Sequence, residues 1–433
     1  MVTVPEETKL RRVQSGWSWL AALAAAALGL AACTRDDRAP GRVLLVGLDG
    51  ATLRVARPLL EAGRLPNLAR LAREGAAGPL RSLQPLESPR VWNSIATAKT
   101  PEKHGILDYT HQGGRLFTSH DRKVHALWNI ASDAGLSVAV LNWWNTYPVE
   151  RVSGVMISDH FFPREVEERQ QITGGVAGPP GAVLFPESWQ TRLSGRLAEP
   201  GPPDAVDFLG ERARLPGWMR AERLSEQYPQ DAALVRFALE IEAETRPDLL
   251  MLLLTGIDRA SHVLWAGIEP GDRYPPNLRL ADAERAAARA TLEGYYEATD
   301  RLLGPLLERY GPEDLALVVS DHGFEAASVF GVLTGGHQGE AALHGVLFAR
   351  GPGIVPGSSS GLVGVLDLTP TILAWLGLPV GADMDGGVAR FVRELRVATV
   401  PTHDVGTVER LAEGRSGAEA AILEELRSLG YVE

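Results

Sequence analysis

The stretch at 249–265, LLMLLLTGIDRASHVLW, runs through six apolar residues and then presents Asp258 and His262, four positions apart. That spacing puts a carboxylate and an imidazole on one face of a helical turn. Two other apolar runs end in the same way. VLLVGLD closes on Asp49, and LALVVSDHG closes on Asp321 and His322. A further histidine, His337, lies in the glycine-flanked stretch TGGHQGE. Three carboxylates gathered at one sheet edge repel one another strongly unless cations stand between them. Three Asp and three His form a donor set for divalent metals that accept mixed oxygen and nitrogen ligands, zinc first and manganese next. Each piece alone has a plain alternative. A strand-end Asp caps the following helix, an Asp–His pair also occurs on solvated faces, and SDHG reads as a turn. The recurrence after three near-continuous apolar runs points to a shared site.

Those runs must be strands buried on both faces. GRVLLVGLDGA (41–51) reads as one. LRVARPLLEAGRLPNLARLAREG follows with helical periodicity closed by Gly75. The stretch PLRSLQPLESP reads as a loop leading into a helix, RVWNSIATA, and ALWNIASDAGLSVAVLNWW as helix, glycine stop and strand. Residues 163–229, rich in Pro and Gly, break the rhythm and read as an insertion capping one end of the sheet. Helix and strand resume with DAALVRFALEIEAETRPDLLMLLLTGID. The helix LEGYYEATDRLLGPLLERYG, the strands LALVVSDHGF and GVLFARGPG and the helix VLDLTPTILAWLGLP come next. The tail GAEAAILEELRSLGYVE reads as a surface helix. Strands alternating with helices predict an α/β fold with a largely parallel sheet, whose ligands bind beyond the carboxyl ends of the strands.

The chain opens with Lys9, Arg11 and Arg12, then an Ala/Leu-rich run from Trp17 to Ala32, then LAAC. This is the pattern of an export signal, short for a membrane span. LAAC resembles the lipobox of bacterial lipoproteins, with Cys33 as the lipidated residue and TRDDRAP as a polar tether. An ordinary apolar helix or an uncleaved anchor is the alternative. The expected organisation is residues 1–33 signal and lipidated Cys, 34–41 tether, 42–400 catalytic domain and 401–433 tail. Cys33 is the only cysteine in the 433 residues, which excludes an intrachain disulfide and a cysteine-based zinc site. A net charge of −11 with no later basic run argues against a nucleic-acid binder of the usual basic kind.

The ordered set LVGLDGA, LPNLARLAREG, SPRVWNSIATAKTPEKHGI, GIDRASHVLW, VVSDHGF, GGHQGE…GVLFARGPGI and DLTPTILAWLGLP resembles the type I phosphodiesterase/nucleotide pyrophosphatase family of the alkaline phosphatase superfamily. The resemblance spans roughly residues 42–390 and is weaker over 163–229. It implies a three-layer α/β/α sandwich with a largely parallel central sheet and an inserted cap region. It also implies two divalent metals, most readily zinc, with manganese as the other candidate. Asp49, Asp321 and His322 would hold one together with the nucleophile; Asp258, His262 and His337 would hold the other. His344, in LHGVLF, rivals His337, whose glycine-flanked loop permits closer approach to a metal. The family's nucleophile falls on Ser88 in LESPRVW, with Ala98 where the family usually has Gly. Ser88 precedes Pro89 and a helix, the pattern of an N-cap, so capping alone is the alternative. Helix amides there would face a phosphoryl group. Ser94 is the next candidate, Arg90 a candidate for steadying a phosphate oxygen, and His104 a structural residue of the turn.

The implied substrate is a small phosphodiester or nucleotide-like molecule, and the implied setting an exported lipoprotein facing the periplasm or cell surface. Two rivals share the fold: a phosphomonoesterase or phosphonate hydrolase, and a sulfatase. The sulfatase pattern has paired Asp residues after the first strand and a Pro two residues after its nucleophile. Here Gly50 follows Asp49 and Pro89 directly follows Ser88. A ligand-binding lipoprotein on an inactive scaffold is the rival from another class.

Overall fold

Strand β1 (Val43–Leu48) is apolar throughout because helices cover both of its faces. The computed structural model describes residues 41–162, 182–194, 210, 213–219, 224–329, 332–412 and 419–432. The expected signal segment, Cys33 and nearly all of the tether lie outside the described residues, as does most of the 163–229 insertion. The further strands are β2 (Ala76–Arg81), β3 (Val138–Trp143), β4 (Gly154–Ser158), β5 (Leu184–Phe185), β6 (Leu249–Leu254), β7 (Leu315–Val319), β8 (Glu325–Val329), β9 (Leu333–Gly336), β10 (His344–Arg350), β11 (Ser358–Ser359) and β12 (Val363–Gly364). The helices that matter below are α1 (Leu53–Glu61), α2 (Pro66–Glu74), α3 (Ser88–Thr97), α4 (Leu127–Asp133), α5 (Leu224–Thr245), α6 (Gly256–Leu264), α7 (Asp282–Glu308), α8 (Leu368–Trp375) and α9 (Glu419–Leu429).

The central sheet runs β11-β2-β10-β7-β1-β6-β3-β4-β5, with β12 also on β2. Its middle, β7-β1-β6-β3-β4, is parallel throughout. β10 runs antiparallel to both β7 and β2. Along β1 the side chains alternate between two cores. Leu44, Val46 and Leu48 pack with α1, α2, α5, α6 and α7, whereas Val43 and Leu45 pack with α3, α4 and α8. The result is the expected three-layer α/β/α sandwich. Among the described residues no helix is long and apolar enough to cross a membrane.

Four local expectations change. The periodic stretch 53–75 is two helices, because Gly63 turns with φ +71° and Pro66 starts a new helix. The expected loop at 79–89 begins inside β2, whose Gly78 and Pro79 mask its strand character; its place is fixed by pairing with β10. Helix α5 starts at Leu224, ahead of Pro229, which hid its first turns. The tail helix α9 is not a free surface helix. It buries Ala421, Ile422 and Leu426, and Tyr109 packs against the last two.

Candidate metal centre and nucleophile

The three strands that end in carboxylates are neighbours. Leu48 pairs with Leu254 and Gly47 with Val319, so β1, β6 and β7 finish at the same level. The Asp49 amide donates to the Leu254 carbonyl at 2.9 Å, continuing the ladder one residue past β1. Gly50 then turns with φ +69°, and a Cβ there would lie 2.6 Å from Phe324 and 3.0 Å from the Asp258 Cα. Only glycine allows that turn and that approach. The Gly50 amide donates to Asp321 Oδ1 at 3.2 Å, tying the ends of β1 and β7 together.

Beyond these ends, Asp49, Asp258, Asp321, His262, His322, His337 and Ser88 are all buried. The Ser88 hydroxyl donates to Asp49 Oδ1 at 3.2 Å and lies 3.4 Å from His322 Nε2. His322 Nε2 is 3.5 Å from Asp49 Oδ1 and 3.4 Å from Asp321 Oδ2. The His322 Nδ1 lies 3.0 Å from the Gly323 carbonyl, which can only accept, so Nδ1 carries the hydrogen. Its Nε2 lone pair therefore faces two carboxylates. Lone pairs that face one another at this range call for a cation between them, and tetrahedral donors at zinc bond lengths stand about 3.3 Å apart. The donor set fits a divalent metal.

The second set has the same pinning. His262 Nδ1 donates to the Gly335 carbonyl at 3.0 Å, and its Nε2 lies 3.5 Å from Asp258 Oδ1. Such carbonyl-held imidazoles are the usual support of a metal ligand. His337, at the end of β9, stacks on His322 with ring centres 3.9 Å apart. Donor atoms of Asp258, His322 and His337 lie within 4.8 Å of one another, as do those of Asp49, Asp321 and His322. Asp258 Oδ1, Asp321 Oδ2 and His337 Nδ1 are enclosed with no hydrogen-bond partner. The rival His344 is exposed on β10, paired with Arg81 on β2.

The electrostatics follow from burial. Burial, with the Asp258 charge nearby, pushes Asp49 up to about 7; the indoles of Trp144 and Trp92 work the other way. Asp321 is pushed well above the carboxylate range by burial and by Asp49. Burial also opposes charge on Asp258, but His262 beside it outweighs this and holds the group below its ordinary value. Burial lowers His322 to about 4 and, with the His322 and His262 rings beside it, holds His337 well below its ordinary value, so both imidazoles are neutral and able to ligate.

Ser88 stands one place further into the helix than expected: Glu87 is the N-cap, and Ser88 and Pro89 open α3. The Tyr109 hydroxyl lies 3.4 Å from the Ser88 hydroxyl. Ser94 is buried against His104 Nε2 at 3.0 Å, and His104 Nδ1 accepts from the Ile106 amide, a structural arrangement of the turn. Arg90 does not reach the cluster. Its guanidinium donates to the Leu107 carbonyl at 2.8 Å and lies beside Glu87. The cation that does line the adjoining cleft is Arg259, ion-paired with Glu425.

Sequence reasoning missed four aromatic residues. The indoles of Trp92 and Trp144 both donate to Asp49 Oδ2, at 3.1 and 3.2 Å, leaving Oδ1 for Ser88. Tyr109 stacks on Tyr431 at 4.4 Å, and the Tyr431 hydroxyl is hydrogen-bonded to Nε2 of both His262 and His337. Asn142, Trp144, Gln227 and Thr255 line the cleft beside these groups.

The family model described as type I phosphodiesterase / nucleotide pyrophosphatase matches residues 43–336. Among solved structures, a 2-O GAG sulfatase is similar at 13% identity and a TM-score of 0.51, covering 84% of this chain and 76% of its own. Human ectonucleotide pyrophosphatase / phosphodiesterase 5 aligns at 11% identity and a TM-score of 0.49, covering 81% of this chain and 98% of its own. A phosphonate monoester hydrolase from Silicibacter pomeroyi aligns at 16% identity and a TM-score of 0.45, covering 81% and 76%. No protein among the curated ones matches. The first of these likenesses bears on the fold alone.

Proposed function

We propose that this chain, which belongs to the type I phosphodiesterase/nucleotide pyrophosphatase family, is a metal-dependent hydrolase that cleaves phosphodiester or pyrophosphate bonds through a phospho-Ser88 intermediate. One observation carries the reading. Asp49, Asp321, His322 and Ser88 set four donor atoms at neighbouring separations of 3.2–3.5 Å, with the His322 lone pair held toward them. They would hold one divalent cation, zinc or manganese, and Asp258, His262 and His337 a second. Bound cations supply the charge that makes a serine hydroxyl nucleophilic and stabilises a departing alkoxide.

The chain's own groups do the rest. Ser88 Oγ bonds to phosphorus as the ester oxygen leaves. Water then attacks the same phosphorus and Ser88 Oγ departs, returning the enzyme. The two indoles hold Asp49 so that Oδ1 faces Ser88. Gln227, Asn142 and Arg259 offer polar contacts to a small substrate in the cleft.

The test is a rate comparison with zinc or manganese supplied, on p-nitrophenyl phosphodiester, phosphomonoester and sulfate. A diester preference of about tenfold or more, roughly 1.4 kcal/mol of transition-state discrimination, is expected. Ser88→Ala should remove that turnover. A monoester or sulfate preference moves the function within the same fold. No turnover on any of them favours a binding protein on an inactive scaffold.

The setting is export and lipidation at Cys33, supported by the basic start, the apolar run and LAAC. Intact mass of the chain from bacterial membranes should then show an acylated Cys33 as the first residue. A chain beginning at Met1, or an unmodified Cys33, would overturn this.

A further inference from the structure

The segment around α9 reaches into the cluster. The Arg259–Glu425 ion pair ties it to α6. Gly430, with φ +83°, ends the helix, and the Tyr431 amide reaches back to the Leu426 carbonyl at 2.9 Å. This glycine-ended reversal directs the Tyr431 ring onto Tyr109, and its centre lies 5.4 Å from the His262 ring and 5.5 Å from the His337 ring.

The hydrogen count at this hydroxyl is informative. His262 Nδ1 donates to the Gly335 carbonyl, so Nε2 is the nitrogen turned toward Asp258 and Tyr431. The Tyr431 hydroxyl meets Nε2 of His262 and Nε2 of His337 together. The hydroxyl has only one hydrogen, so it can donate to at most one of the two imidazoles. Both Nε2 atoms are thus engaged by one phenol oxygen. In the first set, by contrast, the His322 lone pair meets only carboxylates and Ser88, at 3.4–3.5 Å.

We infer that Tyr431 is a displaceable plug of the second cation position: its hydroxyl and a divalent cation compete for His262 and His337, and loading drives the Tyr431 segment away from them. This rests on the reading of Asp258, His262 and His337 as cation ligands. It makes the α9 segment a wall of the active site, since Ile422, Glu425, Leu426 and Leu429 line the same cleft as Ser88 and Asp258. Opening of that wall is then coupled to metal loading.

The test uses the full chain stripped with a chelator and titrated with zinc, binding being read by competition with a chromophoric chelator. Tyr431→Phe keeps the ring and its stacking and removes only the hydroxyl. Wild type should bind two zinc ions in two steps. In Tyr431→Phe the weaker step should tighten about tenfold, the scale of two lost hydrogen bonds, with the tighter step unchanged. Hydrogen exchange across residues 419–432 of the wild type should rise on the second step. An unchanged or weakened second step in Tyr431→Phe, or slower exchange on loading, overturns the plug while leaving the metallohydrolase reading intact. Zinc binding by neither chain overturns both.

Discussion

The two halves of the donor cluster are built by different means. Asp49 and Asp321 follow directly from β1 and β7, whose ends are fixed by main-chain pairing, and Ser88 sits at the first turn of α3, locked by the two indoles around Asp49. The Gly50 amide, donating to Asp321 Oδ1, ties the two strand ends to each other. The other half is assembled from side elements: Asp258 and His262 on α6, His337 after the β8–β9 hairpin, and Tyr431 from a segment far along the chain. The Tyr431 segment is held to the rest by side-chain contacts. The half with Ser88 is the rigid one, and contacts brought in from distant elements gather at His262 and His337. Mobile elements are drawn from the less firmly held parts of a fold.

The largest expected effect tests whether both halves are needed. Asp49→Asn and Asp258→Ala should each lower kcat/KM by about a thousandfold or more, roughly 4 kcal/mol of transition-state stabilisation. They should differ in cation binding, each losing a different one of the two steps while the circular dichroism of the fold persists. Near-normal turnover in Asp258→Ala would show that the second half is not part of the reaction and would remove the contrast.

The ligating residues of both halves were legible in the sequence. A parallel strand buried on both faces must read as an apolar run, and the polar residues soon after it fall at the sheet edge: Asp49 directly after β1, Asp321 two residues after β7 and Asp258 in the first turn of α6 after β6. The aromatic groups around them depend on which side elements fold over that edge, and local pattern does not carry that information. Trp92 looks like core from its helical spacing and is core, yet its one polar atom faces Asp49. Arg90 is next but one to Ser88 in sequence, but its side chain is spent on the Leu107 carbonyl. Strand β2 was hidden because Gly78 and Pro79 interrupt any alternation and its pairing with β10 is long-range. Tyr431 did leave a signal. Gly430 directly after an amphipathic helix marks a reversal, and the residue beyond such a glycine is folded back toward the helix it leaves.

The smallest expected effect concerns charge in the rigid half. In the cation-free chain Asp49 titrates at about 7, against about 3.9 for an unfolded aspartate. The folded state thus holds its proton longer than the unfolded state. Stability from this group is fully present below the unfolded value and is lost as pH rises through about 7. Asp321 is shifted in the same direction. A bound cation replaces those protons, and its affinity grows as the carboxylates ionise. The melting temperatures of zinc-loaded and zinc-free chain should therefore diverge as pH rises from 5 to 8, by about 2 °C or more. Asp49→Asn has no carboxylate to ionise at that position, so most of the divergence should disappear in it. Subtracting the zinc-free from the loaded chain at each pH cancels titrating groups elsewhere in the molecule. A gap that stays constant with pH in the wild type, or that survives unchanged in Asp49→Asn, would mean that the carboxylates of the rigid half are not held apart by a cation.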